Sequence, residues 1–182
     1  FWKLPKIYFP SSLTTLDIGN NYFDDIHTES FKLLTNLQAL DMSSCKTREL
    51  KSKWFSDLKS LRRLDLSGNE IEELPSGIFK DLKNLKHLNL DRNYLRSIDG
   101  ASFGALENLL QLYVRNNRIE SIDEIFIRKA QSLFFGWFSG NSCIDKNFNN
   151  FIKNSMINLE EFKACFENFE RSFFVRGKNF TN

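Results

Sequence analysis

Leu61-Arg-Arg-Leu64-Asp-Leu66-Ser-Gly-Asn69-Glu-Ile71 is the stretch that decides the fold. Leu64 and Leu66 alternate with polar neighbours at period two, the pattern of a short strand with one face buried. The pattern returns at Leu85-Lys-His-Leu88-Asn-Leu90-Asp-Arg-Asn93-Tyr-Leu95, 24 residues later. Stepping by that interval in both directions puts Leu13, Leu37, Leu61, Leu85, Leu109 and Leu133 in one phase. A fixed period of this size means stacked supersecondary units, none of which can bury its apolar face alone.

Each column of the period has a physical job. The fourth position reads Leu16, Leu40, Leu64, Leu88, Leu112 and Gly136, and the sixth reads Ile18, Met42, Leu66, Leu90, Val114 and Phe138. These are the inward faces of strands that must pair in parallel. The ninth position reads Asn21, Cys45, Asn69, Asn93, Asn117 and Asn141. An inward Asn can satisfy backbone groups of adjoining coils where strand pairing stops. Phe31, Phe55, Phe79 and Phe103 recur later in each coil, slipping to Phe126-Ile127 in the fifth. They account for part of an unusual total of 19 Phe and read as a spine filling the side opposite the strands. Pro75 falls outside the strands, where its missing N–H does no harm.

Solenoids need capped ends. Residues 1–12 read as the end of a front cap with no cysteine, 13–142 as the repeats and 143–182 as the rear cap. Residues 146–155 and 157–174 both look helical. Leu159, Phe162, Phe166, Phe169 and Phe173 form an amphipathic stripe, read as cap core or as a dimerisation face. Pairing Cys143 with Cys165 would clamp that helix over the last coil, and a bridge implies an oxidising compartment. Cys45 is left over, either bonded between chains or a buried thiol in an Asn column. Asn179-Phe-Thr181 is a glycosylation sequon. The chain opens at Phe1 rather than Met, which fits a trimmed start behind a signal peptide.

The L-x-x-L-x-L-x-x-N repeats, the Asn141-Ser-Cys143-Ile-Asp-Lys-Asn-Phe148 exit and Cys165-Phe166 resemble insect extracellular leucine-rich-repeat proteins. The resemblance implies an α/β repeat fold: a curved leucine-rich-repeat solenoid with a parallel concave sheet and a helical C-terminal cap. That class includes mosquito immune proteins that partner complement-like thioester proteins, as well as adhesion and receptor ectodomains. The implied role is extracellular recognition of a protein ligand, with homo- or heterodimers possible.

Composition narrows the alternatives. The net charge is +2, from 25 Lys and Arg against 23 Asp and Glu, which argues for no nucleic-acid partner. No apolar run reaches the roughly 20 residues of a membrane helix, so a membrane tether would lie outside this segment. His27 and His87 fall on different faces, and no His, Cys or carboxylate cluster has metal spacing. Neither catalysis nor a cofactor is expected.

The informative surface is the outward strand face. Its middle column reads Asp17, Asp41, Asp65, Asn89, Tyr113 and Trp137, with neighbours about 4.8 Å apart. Beside it run Thr15, Ala39, Arg63, His87, Gln111 and Phe135, then Thr14, Gln38, Arg62, Lys86, Leu110 and Phe134. The first candidate patch is Leu110, Tyr113, Phe135 and Trp137 with Arg115 beside them, residue types that dominate binding hot spots. Phe134 and Phe135 fit equally a cap folded back over them. The second candidate is polar, comprising Asp41, Asp65, Arg63, His87 and Asn89. Stacked carboxylates repel, so either Arg62 and Arg63 compensate within the protein or a basic partner or cation does.

Overall fold

The computed structural model describes residues 2–4, 9–103, 107–151 and 159–177. One sheet holds the coils together. Its repeat strands are β2 (Thr15–Asp17), β4 (Ala39–Asp41), β5 (Arg63–Asp65), β6 (His87–Asn89), β8 (Gln111–Tyr113) and β10 (Phe135–Trp137). All six run parallel, and their centres form one row through Leu16, Leu40, Leu64, Leu88, Leu112 and Gly136. The phase of the sequence is therefore the register of the sheet. Two further parallel pairs lie outside it: β1 (Trp2–Leu4) with β3 (Phe23–Ile26), and β7 (Ser97–Ile98) with β9 (Ser121–Ile122). Short helices α1 (Gly100–Phe103) and α2 (Glu124–Lys129) take part of the return path.

The strands stop because the next turn is left-handed. Asn20, Ser44, Gly68, Arg92, Asn116 and Gly140, at the eighth position, all have φ between 53° and 74°. Gly and Asn reach that region most easily. The ninth-position Asn then ties the coils together. Asn69 Nδ2 donates to the carbonyls of Met42 at 2.8 Å and Leu66 at 2.9 Å. Its Oδ1 accepts from the N–H groups of Cys45 at 2.9 Å and Thr47 at 3.0 Å. Asn93, Asn117 and Asn141 repeat the arrangement one coil on.

Cys45 is a buried free thiol whose Sγ–H donates to the Ile18 carbonyl at 3.2 Å. Burial, more than any neighbouring charge, raises its pKa above the ordinary thiol value. It fills the Asn position while supplying no strong acceptor for the preceding coil.

The Phe spine is the other continuous element. Phe31, Phe55, Phe79 and Phe103 are buried, and Phe126 continues the row against Phe103 with ring centroids 4.6 Å apart. Trp54 sits against both Phe31 and Phe55, at 6.3 and 6.4 Å. Burying such a ring is worth roughly 1.5–3 kcal/mol, so this row supplies much of the cohesion between coils.

The rear end departs from expectation in one respect. Within the region 146–155, read as helical, Asn147–Asn149 forms a strand, β11, pairing antiparallel with β10. The partner decides this: β10 would otherwise leave an open edge, and β11 covers it. Gly136 has a matching explanation. A Cβ there would lie 2.7 Å from Phe138 and 3.2 Å from Phe151. Those rings occupy the volume that a core Leu fills in the other coils. Residues 159–161 are helical and α3 (Lys163–Gly177) follows. Phe162 and Cys165 are buried, with Leu159 and Phe166 packed against the core. The Cys143–Cys165 disulfide joins α3 to the last coil, with Cα atoms 5.2 Å apart. Asn168 Nδ2 donates to the Glu120 carbonyl at 2.8 Å and pins the helix beside β9. The sequon Asn179 and the stripe's last residue, Phe173, lie outside the residues whose side chains are described.

Candidate functional site

Side chains two apart on a strand share a face, so each three-residue strand offers its first and third residues to the open sheet surface. At the C-terminal end these are Phe135 and Trp137 on β10, and Gln111 and Tyr113 on β8. Tyr113 and Trp137 are register partners, and their rings stack with centroids 4.0 Å apart and planes 5° from parallel. Trp137 stacks in turn on Phe135 at 5.3 Å, and Phe134 meets Phe135 edge-on at 4.6 Å. The row is Phe134, Phe135, Trp137, Tyr113. Leu110 and Phe134 are 37% and 39% exposed, while Tyr113, Phe135 and Trp137 are half-buried. The Phe151 N–H bonds the Phe134 carbonyl at 3.0 Å.

Arg115 closes one side of the row. Its Nε and Nη2 both donate to Asp91 Oδ2, at 2.8 and 2.6 Å, while its backbone N–H donates to Asp91 Oδ1 at 2.6 Å. The hydrogen bond to Asp91 raises the guanidinium pKa, against a smaller opposing effect of burial. The guanidinium carbon lies 5.7 Å from the Tyr113 ring centre. The buried Asp91 thus positions a cation beside an aromatic face, an attractive arrangement. Sequence reasoning named Arg115 and overlooked Asp91 as its anchor. The signal was available, since the two share a column in consecutive coils. Gln111 was overlooked likewise. Its Oε1 lies 2.8 Å from His87 Nδ1 and accepts from the Tyr113 hydroxyl at 3.1 Å.

The polar candidates occupy the other half of the same surface. A shallow depression of about 560 Å³ spans Asp17, Asp41, Asp65, Arg63, His87, Asn89 and Tyr113. Its carboxylates are compensated differently from the expectation. Among the described residues no ion pair joins Arg62 or Arg63 to them. Backbone amides do the work instead. Asp17, Asp41 and Asp65 each accept at Oδ1 from the N–H two residues on, of Gly19 at 2.9 Å and of Ser43 and Ser67 at 2.8 Å. Asp65 also accepts from Ser67 Oγ at 2.6 Å and from Asn89 Nδ2 at 2.9 Å. Such local bonds are usual for Asx side chains at strand exits.

No group of three or more His, Cys, Asp or Glu among the described residues could hold a metal ion. No helix among them is long and apolar enough to cross a membrane.

The family model described as leucine rich repeat matches residues 11–71 and 60–119. Among solved structures, the mosquito APL1 leucine-rich repeat domain is 27% identical, with a TM-score of 0.68 over 72% of this chain and 34% of that one. The LRIM1/APL1C complex gives 27% identity and a TM-score of 0.68 over 72% of this chain and 24% of that one. The Drosophila Toll–Spatzle complex gives 25% identity and a TM-score of 0.64 over 72% of this chain and 19% of that one. The chain thus spans about a third or less of the length of these structures. No curated protein matches the sequence.

Proposed function

The chain belongs to the leucine-rich repeat family, and from that premise we propose that it is an extracellular recognition module binding a protein partner at the aromatic end of its concave sheet. The observation that carries the reading is the stacked, half-buried row Phe135, Trp137, Tyr113, flanked by the exposed Leu110 and Phe134 and by the anchored Arg115. Trp, Tyr and Arg are the residues most enriched at binding hot spots. An open apolar cluster on an otherwise polar surface is the usual mark of an interface. The rings are held by their neighbours, so little side-chain freedom is lost on binding. The polar half of the sheet, with Asp41, Asp65, Arg63, His87 and Asn89, would form the rim and set orientation.

The neighbours support an innate-immune setting. LRIM1/APL1C and Toll–Spatzle are both complexes between proteins. The Cys143–Cys165 bridge fits an oxidising, extracellular compartment. The site binds and does not catalyse. Immobilised chain should capture its partner from the native extracellular fluid. Trp137→Ala and Tyr113→Ala should each weaken capture by about 2 kcal/mol, roughly thirtyfold, without unfolding the chain. Undiminished capture by both variants would overturn the site.

The Toll likeness favours a second reading, a receptor or adhesion ectodomain. The full-length transcript tests it, because that reading requires a membrane anchor. Sedimentation across a concentration range tests self-association, which a persistent monomer contradicts.

A further inference from the structure

The coils carry a second feature, on residues that follow the sheet strands. Two depressions, of about 450 and 310 Å³, share Tyr22, Lys46 and Glu70 and so form one groove. Among the described residues, the one buried side-chain polar atom without a partner is a donor that lines it. Trp54 lines the larger part, and its buried indole Nε1–H has no hydrogen-bond partner among the described residues. A buried donor left without an acceptor is rare and costly in native proteins. Lys46 is exposed and has no acidic partner among the described residues. It lies over the Tyr22 ring at 4.4 Å. Its backbone is held at φ 57°, whereas the equivalent residues Tyr22, Glu70, Tyr94 and Arg118 do not have positive φ. Arg92, in the smaller part, likewise has no acidic partner among the described residues. Apolar contact comes from Phe23, Ile26 and Tyr22, the last 63% exposed.

Two carboxylates limit the positive charge. Glu70 pairs with Arg48 at 2.8 Å, and Glu49 lines the same wall. A polyanion such as a sulfated glycan would meet both. A ligand with one or two carboxylates next to an apolar side chain would not need to. We propose that this groove binds a carboxylate-bearing peptide segment of a protein partner. The Lys46 ammonium and the Trp54 indole N–H receive the carboxylate, and Phe23 and Ile26 pack against the adjoining hydrocarbon. The site is separate from the sheet face and stands or falls without it.

The test is indole 15N–1H NMR on the whole chain, which has only three Trp. The probe is a blocked pentapeptide, glycine–glutamate–phenylalanine–glutamate–glycine. The controls are the same peptide with glutamine for glutamate and a heparin hexasaccharide. The glutamate peptide should move the Trp54 signal saturably and leave that of Trp137 in place. Lys46→Gln should raise Kd about tenfold, as loss of one charge-assisted bond would. Trp54→Phe keeps the ring, removes the orphaned donor and should weaken binding similarly with no fall in Tm. If that variant does not fold, the exposed Lys46→Gln carries the test. The proposal is overturned if the glutamine peptide acts equally, if heparin binds more tightly, if Trp137 moves instead, or if no saturable shift occurs.

Discussion

Asp41 and Tyr113 hold the same position in their coils, three strands apart on one sheet. The backbone around them is the same, yet their needs are met differently. Asp41 is satisfied by its own coil, because the Ser43 N–H two residues on supplies the donor. Tyr113 has no such local solution for an apolar ring. It covers one face with Trp137 and, like its neighbours, stays only half-buried. A polar column can be completed within a coil. An aromatic column can be completed only by another surface. That difference, rather than the count of apolar residues, points to one end of the sheet as the binding end.

The largest way to break this comparison is Gly136→Leu, which restores the residue found in every other coil. Phe138 and Phe151 already fill that volume. Overpacking should cost about 3 kcal/mol and push β10, with its rings, out of register. A thermal melt together with near-ultraviolet circular dichroism would show both. An undisturbed melt would mean that the site is not positioned by this packing.

Asp41→Ala comes next. Removing the acceptor of the Ser43 N–H should cost about 1 kcal/mol of stability in a denaturant titration. Asp41→Asn keeps an accepting oxygen and should stay within about 0.5 kcal/mol. If Asn costs as much as Ala, the local-bond account of the acidic column is wrong.

Cys45→Asn sharpens the same point with a gain. An Asn would complete the ladder made by Asn69, Asn93 and Asn117, and should add up to about 1 kcal/mol. Native Cys45 should also resist alkylation until the chain unfolds, since burial raises its pKa and closes it off. Labelling kinetics with and without denaturant read this directly.

Much of this was legible in the sequence because a solenoid repeats one environment. The strand register, the Asn ladder from Asn69 to Asn141, the Phe spine with its slip to Phe126 and the inward Cys45 follow from the 24-residue phase, and the Cys143–Cys165 bridge from the helical stripe that carries Cys165. Legibility failed where the phase ended. Residues 146–155 read as helical, but the open edge of β10 recruits Asn147–Asn149 as a strand. No local preference could announce that. The compensation of Asp17, Asp41 and Asp65 was sought in Arg62 and Arg63 because charge is visible in a sequence and a backbone N–H is not. Gln111 was read as a column member rather than as a support, and Asp91 was not singled out, since its bonds to Arg115 run between coils.

The most direct test of the central claim is a paired affinity measurement on the partner captured by the wild-type chain, using Trp137→Ala and Asp41→Asn side by side. The account predicts a Kd raised roughly thirtyfold by Trp137→Ala and changed less than about threefold by Asp41→Asn. Equal losses in both variants, or a loss confined to Asp41→Asn, would contradict it.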